Sequence, residues 1–177
     1  LSTLFPMVSS LALAIAIEKV LKIKPQIKWP NDLTINDRKV AGILVDASIE
    51  SGKIDYLILG VGINFKIDVK EVEKNIKNTG NYYGVDTLVT KDNKTNPARL
   101  VQVFLLELEK LYNLLSEGNS DYIIKQWTER SSTIGKTISV TSSTGLIHGK
   151  ATKIDKDGAL VISTKGKTRR VFVGDVS

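Results

Sequence analysis

Apolar and polar positions alternate along this chain with two different periods, and the change of period marks its organisation. Residues 9–22, "SSLALAIAIEKVLK", are alanine- and leucine-rich with apolar side chains on nearly every face. That pattern predicts a buried helix, with Ser9 or Ser10 as its cap. Period-two segments follow. "QIKW" (26–29), "LTIN" (33–36), "KVAGILVDASI" (39–49) and "KIDYLILGVGIN" (53–64) read as strands, with turns at Asn36-Asp37 and Ser51-Gly52. Their succession predicts an antiparallel meander and not β-α-β units. The last of these strands is apolar on both faces at its centre, which predicts cover on both faces. A short polar helix is expected over 71–78. The clearest helix is 96–116, with Asn96 as cap, Pro97 in the first turn, and Leu100, Phe104, Leu108, Leu111 and Leu115 on one face. Gly118 ends it, and "SDYIIKQWTER" (120–130) reads as one more short helix with Trp127 as a junction anchor. After Ser131 the period returns to two in short strands: "GKTISV", "GLIHGKATKI", "GALVIST" and "TRRVFV", separated by turns at Ser142-Ser143, Asp155 to Gly158 and Lys165-Gly166. Such regular short strands predict a small β barrel. The division is expected at 134, giving units 1–134 and 135–177.

Composition narrows the chemistry. The 177 residues are 42% hydrophobic and 25% charged, ordinary for a globular protein. There is no cysteine and one histidine, His148, so thiolate and histidine-cluster metal sites within the chain are excluded. The absence of cysteine permits a reducing cytoplasm. The longest apolar run, Leu11 to Ile17, is too short to span a bilayer. The net charge of +6 is uneven: residues 1–135 carry 17 basic and 16 acidic side chains, residues 136–177 carry 8 and 3. A basic terminal module suits an acidic protein partner or nucleic acid, or is simply a solvated lysine-rich face.

Three stretches carry candidate chemistry. In "KWPND", Lys28 is a compact point charge suited to phosphate or carboxylate, and Asn31 and Asp32 could orient a ligand or share a hydrated magnesium. A surface lysine beside a structural Trp-Pro turn is the bland reading of the same residues. In "GVGIN", Gly60 and Gly62 bare the backbone for a flat ligand, and Asn64 offers hydrogen bonds to a base or ribose; a β bulge explains the glycines equally well. It is not the dinucleotide fingerprint, because no helix follows and the third glycine is missing. In "KVAGILVD", Gly42 inside a strand again suggests close approach, while Lys39 and Asp46 read as solvent-facing.

Taken in order, "KWPNDL", "RKVAGILVD", "LILGVGINF" and a basic β module ending "VFVGDVS" resemble biotin protein ligase (biotin–acetyl-CoA-carboxylase ligase) over nearly the whole chain. The resemblance implies an α+β fold of the class II synthetase type, a mixed and mostly antiparallel sheet flanked by helices, followed by an SH3-like barrel. It implies ATP-dependent conversion of biotin to biotinyl-5′-AMP, then transfer to a lysine of a biotin carboxyl carrier domain, in the cytoplasm, with magnesium. It assigns catalysis to Lys28. Biotin contacts fall to Lys28, Gly42 and Ile43, and nucleotide contacts to Trp29, Asn31, Asp32, Gly60, Val61, Gly62 and Asn64. Homodimerisation through sheet edges is a further implication. Nucleic-acid binding is not expected of these residues, which show no helix-turn-helix. Two departures stand out. Asp46 occupies a position where the family has Glu. The family's "GRGRxGR" loop, which covers biotin and phosphate, is absent, and "LSTLFP" resembles the strand just after it. The chain is therefore expected to be the C-terminal two thirds of a catalytic domain plus the C-terminal domain. A non-catalytic module that binds biotin or its adenylate remains the alternative.

Overall fold

The computed structural model describes residues 2–50, 53–76, 84–142 and 145–176. A 3-10 turn, Ser2–Leu4, leads into α1 (Phe5–Leu21). Four strands follow: β1 (Gln26–Lys28), β2 (Asp32–Ile35), β3 (Arg38–Glu50) and β4 (Lys53–Ile63). They form one antiparallel sheet in sequence order, the expected meander. Helices α2 (Val69–Ile76), α3 (Pro97–Ser116) and α4 (Ser120–Thr128) come next. Strands β5 (Thr137–Ser142), β6 (Gly145–Ile154), β7 (Leu160–Thr164), β8 (Lys167–Val171) and β9 (Asp175–Val176) form a second antiparallel sheet in the order β8-β7-β6-β5-β9. The pairing of β9 with β5 was not legible as a strand, because two residues carry no period.

Helix α1 is the core element. Val8, Leu11, Leu13 and Ile17 are completely buried, and α1 packs on α3, α4 and β3. Each fully buried side chain of this size contributes about 1.5–3 kcal/mol of transfer free energy. The helix starts four residues earlier than its pattern suggested, with Pro6 in the first turn. Ser9 and Ser10 are not caps: both are fully buried inside the helix. Their hydroxyls donate back to the Phe5 and Met7 carbonyls, at 2.9 and 3.2 Å. Residues 2–6, "STLFP", are likewise helical where a strand was expected. Trp127 is completely buried and donates its indole N–H to Ser10 Oγ at 3.1 Å, tying α4 to α1.

Helix α3 follows its pattern. The Asn96 side chain accepts from the Ala98 N–H at 2.9 Å, and Leu100, Phe104, Leu111 and Leu115 are buried with Leu108 packed against them. Asn36 and Asp37 both take positive φ in the β2–β3 turn, as a tight hairpin requires. The expected two-sided cover of β4 is not found: Tyr56 and Ile58 are exposed, as is Leu44 on β3 beside it. Apolar runs cannot distinguish a covered strand from one with an open apolar face. The Ser51-Gly52 turn, the Ser143 half of the Ser142-Ser143 turn and the end of the 71–78 helix lie outside the described residues.

Candidate functional site

The strand register builds a floor. Lys28 pairs with Asp32, Asp32 with Gly42, and Gly42 with Gly62, so these four residues form one row across all four strands. Paired residues point to the same face. The next row on β3 and β4 is Leu44 with Gly60. Two glycines side by side, with a third one row away, leave bare backbone at the middle of the sheet. Above it is an open cavity of about 840 Å³, lined by Asn31, Asp32, Lys39, the Ala41–Leu44 and Gly60–Asn64 segments and Asp175.

Lys39 reaches this face because of a β-bulge. By simple alternation, Lys39 and Gly42 differ in parity and belong on opposite faces. The register runs Leu33–Ala41 and then Thr34–Lys39, leaving Val40 as the extra residue. The bulge resets the parity and turns Lys39 toward Asp32 and Gly42. Its Nζ lies 2.6 Å from Asp32 Oδ1. A Cβ at Gly42 would fall 2.9 Å from both of those atoms, so the missing side chain leaves room for the ion pair. The sequence pattern puts Lys39 toward solvent, and its side chain does stay 39% exposed; the register shift that turns it toward Asp32 and Gly42 leaves no mark in the pattern.

Lys28 stands at the edge of the same row. It borders two smaller cavities, of about 200 and 70 Å³, and not the large one. Burial, the largest effect, pulls its ammonium below the usual lysine pKa; Asp32 opposes it most, repulsion from Lys39 adds to the lowering, and Asp37 and Asp175 oppose it more weakly. Its strand is held from outside the sheet. Residues 130–132 run parallel to β1, with Ile27 N–H donating to the Arg130 carbonyl at 2.8 Å and Ser132 N–H to the Ile27 carbonyl at 2.9 Å. The Trp29 N–H donates to Thr133 Oγ1 at 3.0 Å.

The other residues divide into those that face the cavity and those that shape it. Trp29 is buried, 2% exposed, ahead of a cis Trp29-Pro30 bond. Asn31 clamps β3: its side-chain amide donates to the Ile43 carbonyl, and Ile43 N–H donates to the Asn31 carbonyl at 3.0 Å. The Ile43 side chain is in the core, so Ile43 offers the cavity only backbone. Val61 packs against the core in the same way. Asn64 fixes the end of β4: its backbone N–H donates to the Val40 carbonyl at 2.8 Å and its side-chain amide to the Lys39 carbonyl at 3.0 Å. Asp175, from β9 of the second sheet, borders both the large cavity and the 70 Å³ cleft beside Lys28. It had not been singled out, since nothing local in "VFVGDVS" marks a residue that reaches another sheet. Asp46 and His148 are exposed, and His148 Nδ1 lies 3.1 Å from Ser139 Oγ. Among the described residues, no three His, Asp or Glu side chains gather as a metal cluster.

Residues 3–64 match the biotin/lipoate A/B protein ligase family, and residues 133–177 match the biotin protein ligase C-terminal domain. The bifunctional ligase/repressor BirA of Escherichia coli (strain K12) is 30% identical over 172 residues, covering 95% of this chain and 52% of that protein. BirA of Bacillus subtilis (strain 168) is 26% identical over 170 residues, covering 96% and 51%. The chain thus spans about half the length of the curated relatives it matches. In structure it is similar to the biotin protein ligase from Aquifex aeolicus, with a TM-score of 0.77 at 22% identity, covering 98% of this chain and 72% of that one. The same ligase in complex with biotin and ATP superposes with a TM-score of 0.75 at 20% identity, covering 98% and 69%. With both family matches in chain order, one on the floor of the cavity and one on the second sheet, the chain belongs to the biotin protein ligase family.

Proposed function

We propose that this chain carries the adenylate-forming site of a biotin protein ligase, with the 840 Å³ cavity as the place where biotin and ATP meet. One observation carries the reading: a lysine ammonium held over a glycine floor, inside a cavity of a size suited to a small-molecule substrate. The chemistry has two steps. A biotin carboxylate oxygen attacks the α-phosphorus of ATP and pyrophosphate leaves. The amine of an acceptor lysine then attacks the acyl carbon of biotinyl-AMP, and AMP leaves. The first step brings two anions together, so a fixed cation between them lowers the barrier. Position favours Lys39 for that role over Lys28, the lysine singled out by sequence. Asp32 holds the Lys39 ammonium until a substrate carboxylate or phosphate displaces it. Gly42, Gly60 and Gly62 keep the floor bare. Asn31 and Asn64 fix the strands around it, and Trp29, Ile43 and Val61 pack the floor from below.

The bond from the Asn31 amide nitrogen to the Ile43 carbonyl leaves the Asn31 side-chain oxygen for a hydrated magnesium, and Asp32, paired through Oδ1 with Lys39, would offer its carboxylate beside it. Magnesium would enter with the nucleotide phosphates. The excess of basic side chains after residue 135 suits an acidic carboxyl carrier domain, and β4, an edge of its sheet, suits pairing with a second copy. No described helix is long and apolar enough to cross a membrane. We place the protein in the cytoplasm and the division between its two units near residue 134.

The test is calorimetry of this chain with a non-hydrolysable biotinyl-AMP analogue, together with biotin-dependent exchange of pyrophosphate into ATP. Binding with exchange supports the ligase reading. Binding without exchange supports the alternative, a module that holds the adenylate without forming it. No binding of either biotin or the analogue overturns both. In a protein that shows exchange, Lys39→Ala is expected to reduce the rate by about 10²–10³-fold, as removal of a transition-state donor does, and Lys28→Ala by less. The reverse order would return the catalytic role to Lys28.

A further inference from the structure

Strand β4 stops short of the lysine that stands over the floor. Its last residue, Ile63, pairs with Ala41, so Lys39 and Val40 on β3 lie beyond its end. The lane it vacates is filled by residues 84–86, which run parallel to β3 beside Lys39. Lys39 N–H donates to the Gly84 carbonyl at 3.0 Å, and Asp86 N–H donates to the Lys39 carbonyl at 2.8 Å. The same carbonyl accepts the Asn64 side-chain amide. Past Asp86 the segment binds the end of β4. Leu88 N–H donates to the Asn64 carbonyl at 2.8 Å, and Val89 N–H to the Phe65 carbonyl at 3.0 Å. Leu88 and Val89 are buried, so the segment is rooted in the core. Residues 84–89 thus stitch together the two stretches that bring Lys39 and Asn64 to the 840 Å³ cavity.

One side chain closes this seam. Thr87 is half-buried and does not itself border the cavity. Its hydroxyl lies 3.4 Å from the Asn64 carbonyl oxygen and 3.2 Å from those of Phe65 and Val89, and it accepts the Ile67 N–H at 3.1 Å. A hydroxyl has one proton, so it donates to one of these carbonyls at a time while accepting the amide. We infer that Thr87 is a positioning residue for Lys39: by pinning residues 84–89 to the end of β4, it fixes the Lys39 backbone and, through it, the ammonium over the glycine floor. Its catalytic consequence rests on the ligase reading. The bulge makes such support necessary. It breaks the ladder locally, and Lys39 pairs with Thr34 right beside the extra residue, Val40. On its other side the backbone support comes from Gly84 and Asp86. A cation that must sit between two reacting anions loses its effect when displaced by about 1 Å, so what holds the backbone governs the rate.

The test pairs amide hydrogen exchange by NMR with turnover, in the parent, Thr87→Val and Thr87→Ser. Valine removes the hydroxyl at nearly constant shape, and serine keeps it. In the parent, the Lys39 and Asp86 amides are expected to be protected as well as the Ile43 amide, which bonds the Asn31 carbonyl. In Thr87→Val both should exchange at least about tenfold faster, with the Ile43 amide and the Ala151 amide of the second sheet unchanged. Thr87→Ser should restore them. In protein that turns over pyrophosphate into ATP, Thr87→Val should lower kcat by about 10- to 100-fold and raise KM for ATP or biotin by less, because a displaced ammonium is missed most in the transition state. Serine should restore kcat. An unprotected Lys39 amide in the parent overturns the inference. So does parent-like kcat in folded Thr87→Val, a loss carried by KM alone, or a serine variant as slow as the valine one. Faster hydrogen exchange spread evenly over both sheets, or a Thr87→Val that does not fold, would assign the hydroxyl to stability and overturn it too. The amide readout needs no substrate. A Lys39 amide that Thr87→Val loosens, in a chain without turnover, would uphold the grip of Thr87 on Lys39 and count against the ligase reading alone.

Discussion

Gly42→Ala separates the stability of the floor from its function. The added methyl would sit 2.9 Å from Asp32 Oδ1, 2.9 Å from Lys39 Nζ and 3.0 Å from Lys39 Cε. All three atoms are the mobile ends of side chains, so they can move aside while the backbone stays. What is lost is a half-exposed ion pair, worth about 0–1 kcal/mol. What is gained is the smaller backbone entropy of alanine in the unfolded chain, about 0.4–1 kcal/mol at an extended position. The two nearly cancel, so urea denaturation should give a stability within about 1 kcal/mol of the parent. Ligand binding should not be spared. The Lys39 ammonium is pushed off its position, and a charge-assisted hydrogen bond to substrate is worth about 1.5–3 kcal/mol. Calorimetric affinity for a biotinyl-AMP analogue should therefore fall by about ten- to a hundredfold. A loss of stability above about 2 kcal/mol would show that Gly42 is needed for folding, not for room. Unchanged affinity would show that Lys39 does not hold the ligand.

Gly149→Ala is the opposite case: its Cβ would lie 2.4 Å from the Ser163 carbonyl oxygen, a backbone atom of the neighbouring strand. It should destabilise the second sheet by about 1–3 kcal/mol, as overpacking does, read as a lower urea midpoint with the 840 Å³ cavity unaltered; a neutral result would refute the close approach of β6 and β7. Lys28→Met tests the buried ammonium. Because Lys28 has a lowered pKa in the fold, the unfolded chain holds more protons between that value and 10.5, and Lys28 makes wild-type stability rise with pH across this window. Urea midpoints from neutral pH to pH 10.5 should show wild type gaining on Lys28→Met as pH rises, with Asp32, Asp37, Asp175, Lys39 and Lys136 present in both. A gap that moves the other way would contradict burial as the dominant cause.

The meander, α3 with its Asn96 cap and the short strands after Ser131 were legible because each is a local pattern: period, cap or turn. So were Gly42, Gly60 and Gly62, since a glycine inside a strand is conspicuous wherever the strand goes. The position of Lys39 over the glycine floor was not legible. Its face depends on an extra residue at Val40, and a bulge is a property of two paired strands, invisible in either one. Asp175 was missed for a related reason: its position in the site depends on how the second sheet docks, over more than a hundred residues of intervening chain. Ser9 and Ser10 misled because a cap and a buried back-bonding serine look alike until burial is known.

The parallel run of residues 130–132 beside β1 also decides where the chain can be cut. By texture the first unit ends near 134, but by hydrogen bonding the strand that presents Lys28 borrows its outer partner from the connection to the second sheet. A truncation after Thr128 would keep every strand of the floor in the sequence and still strip β1 of the Arg130, Ser132 and Thr133 contacts. One after Ile134 would keep them. The connection is thus a structural member of the first unit, and an excised floor that omits it would carry the right residues on an unsupported edge.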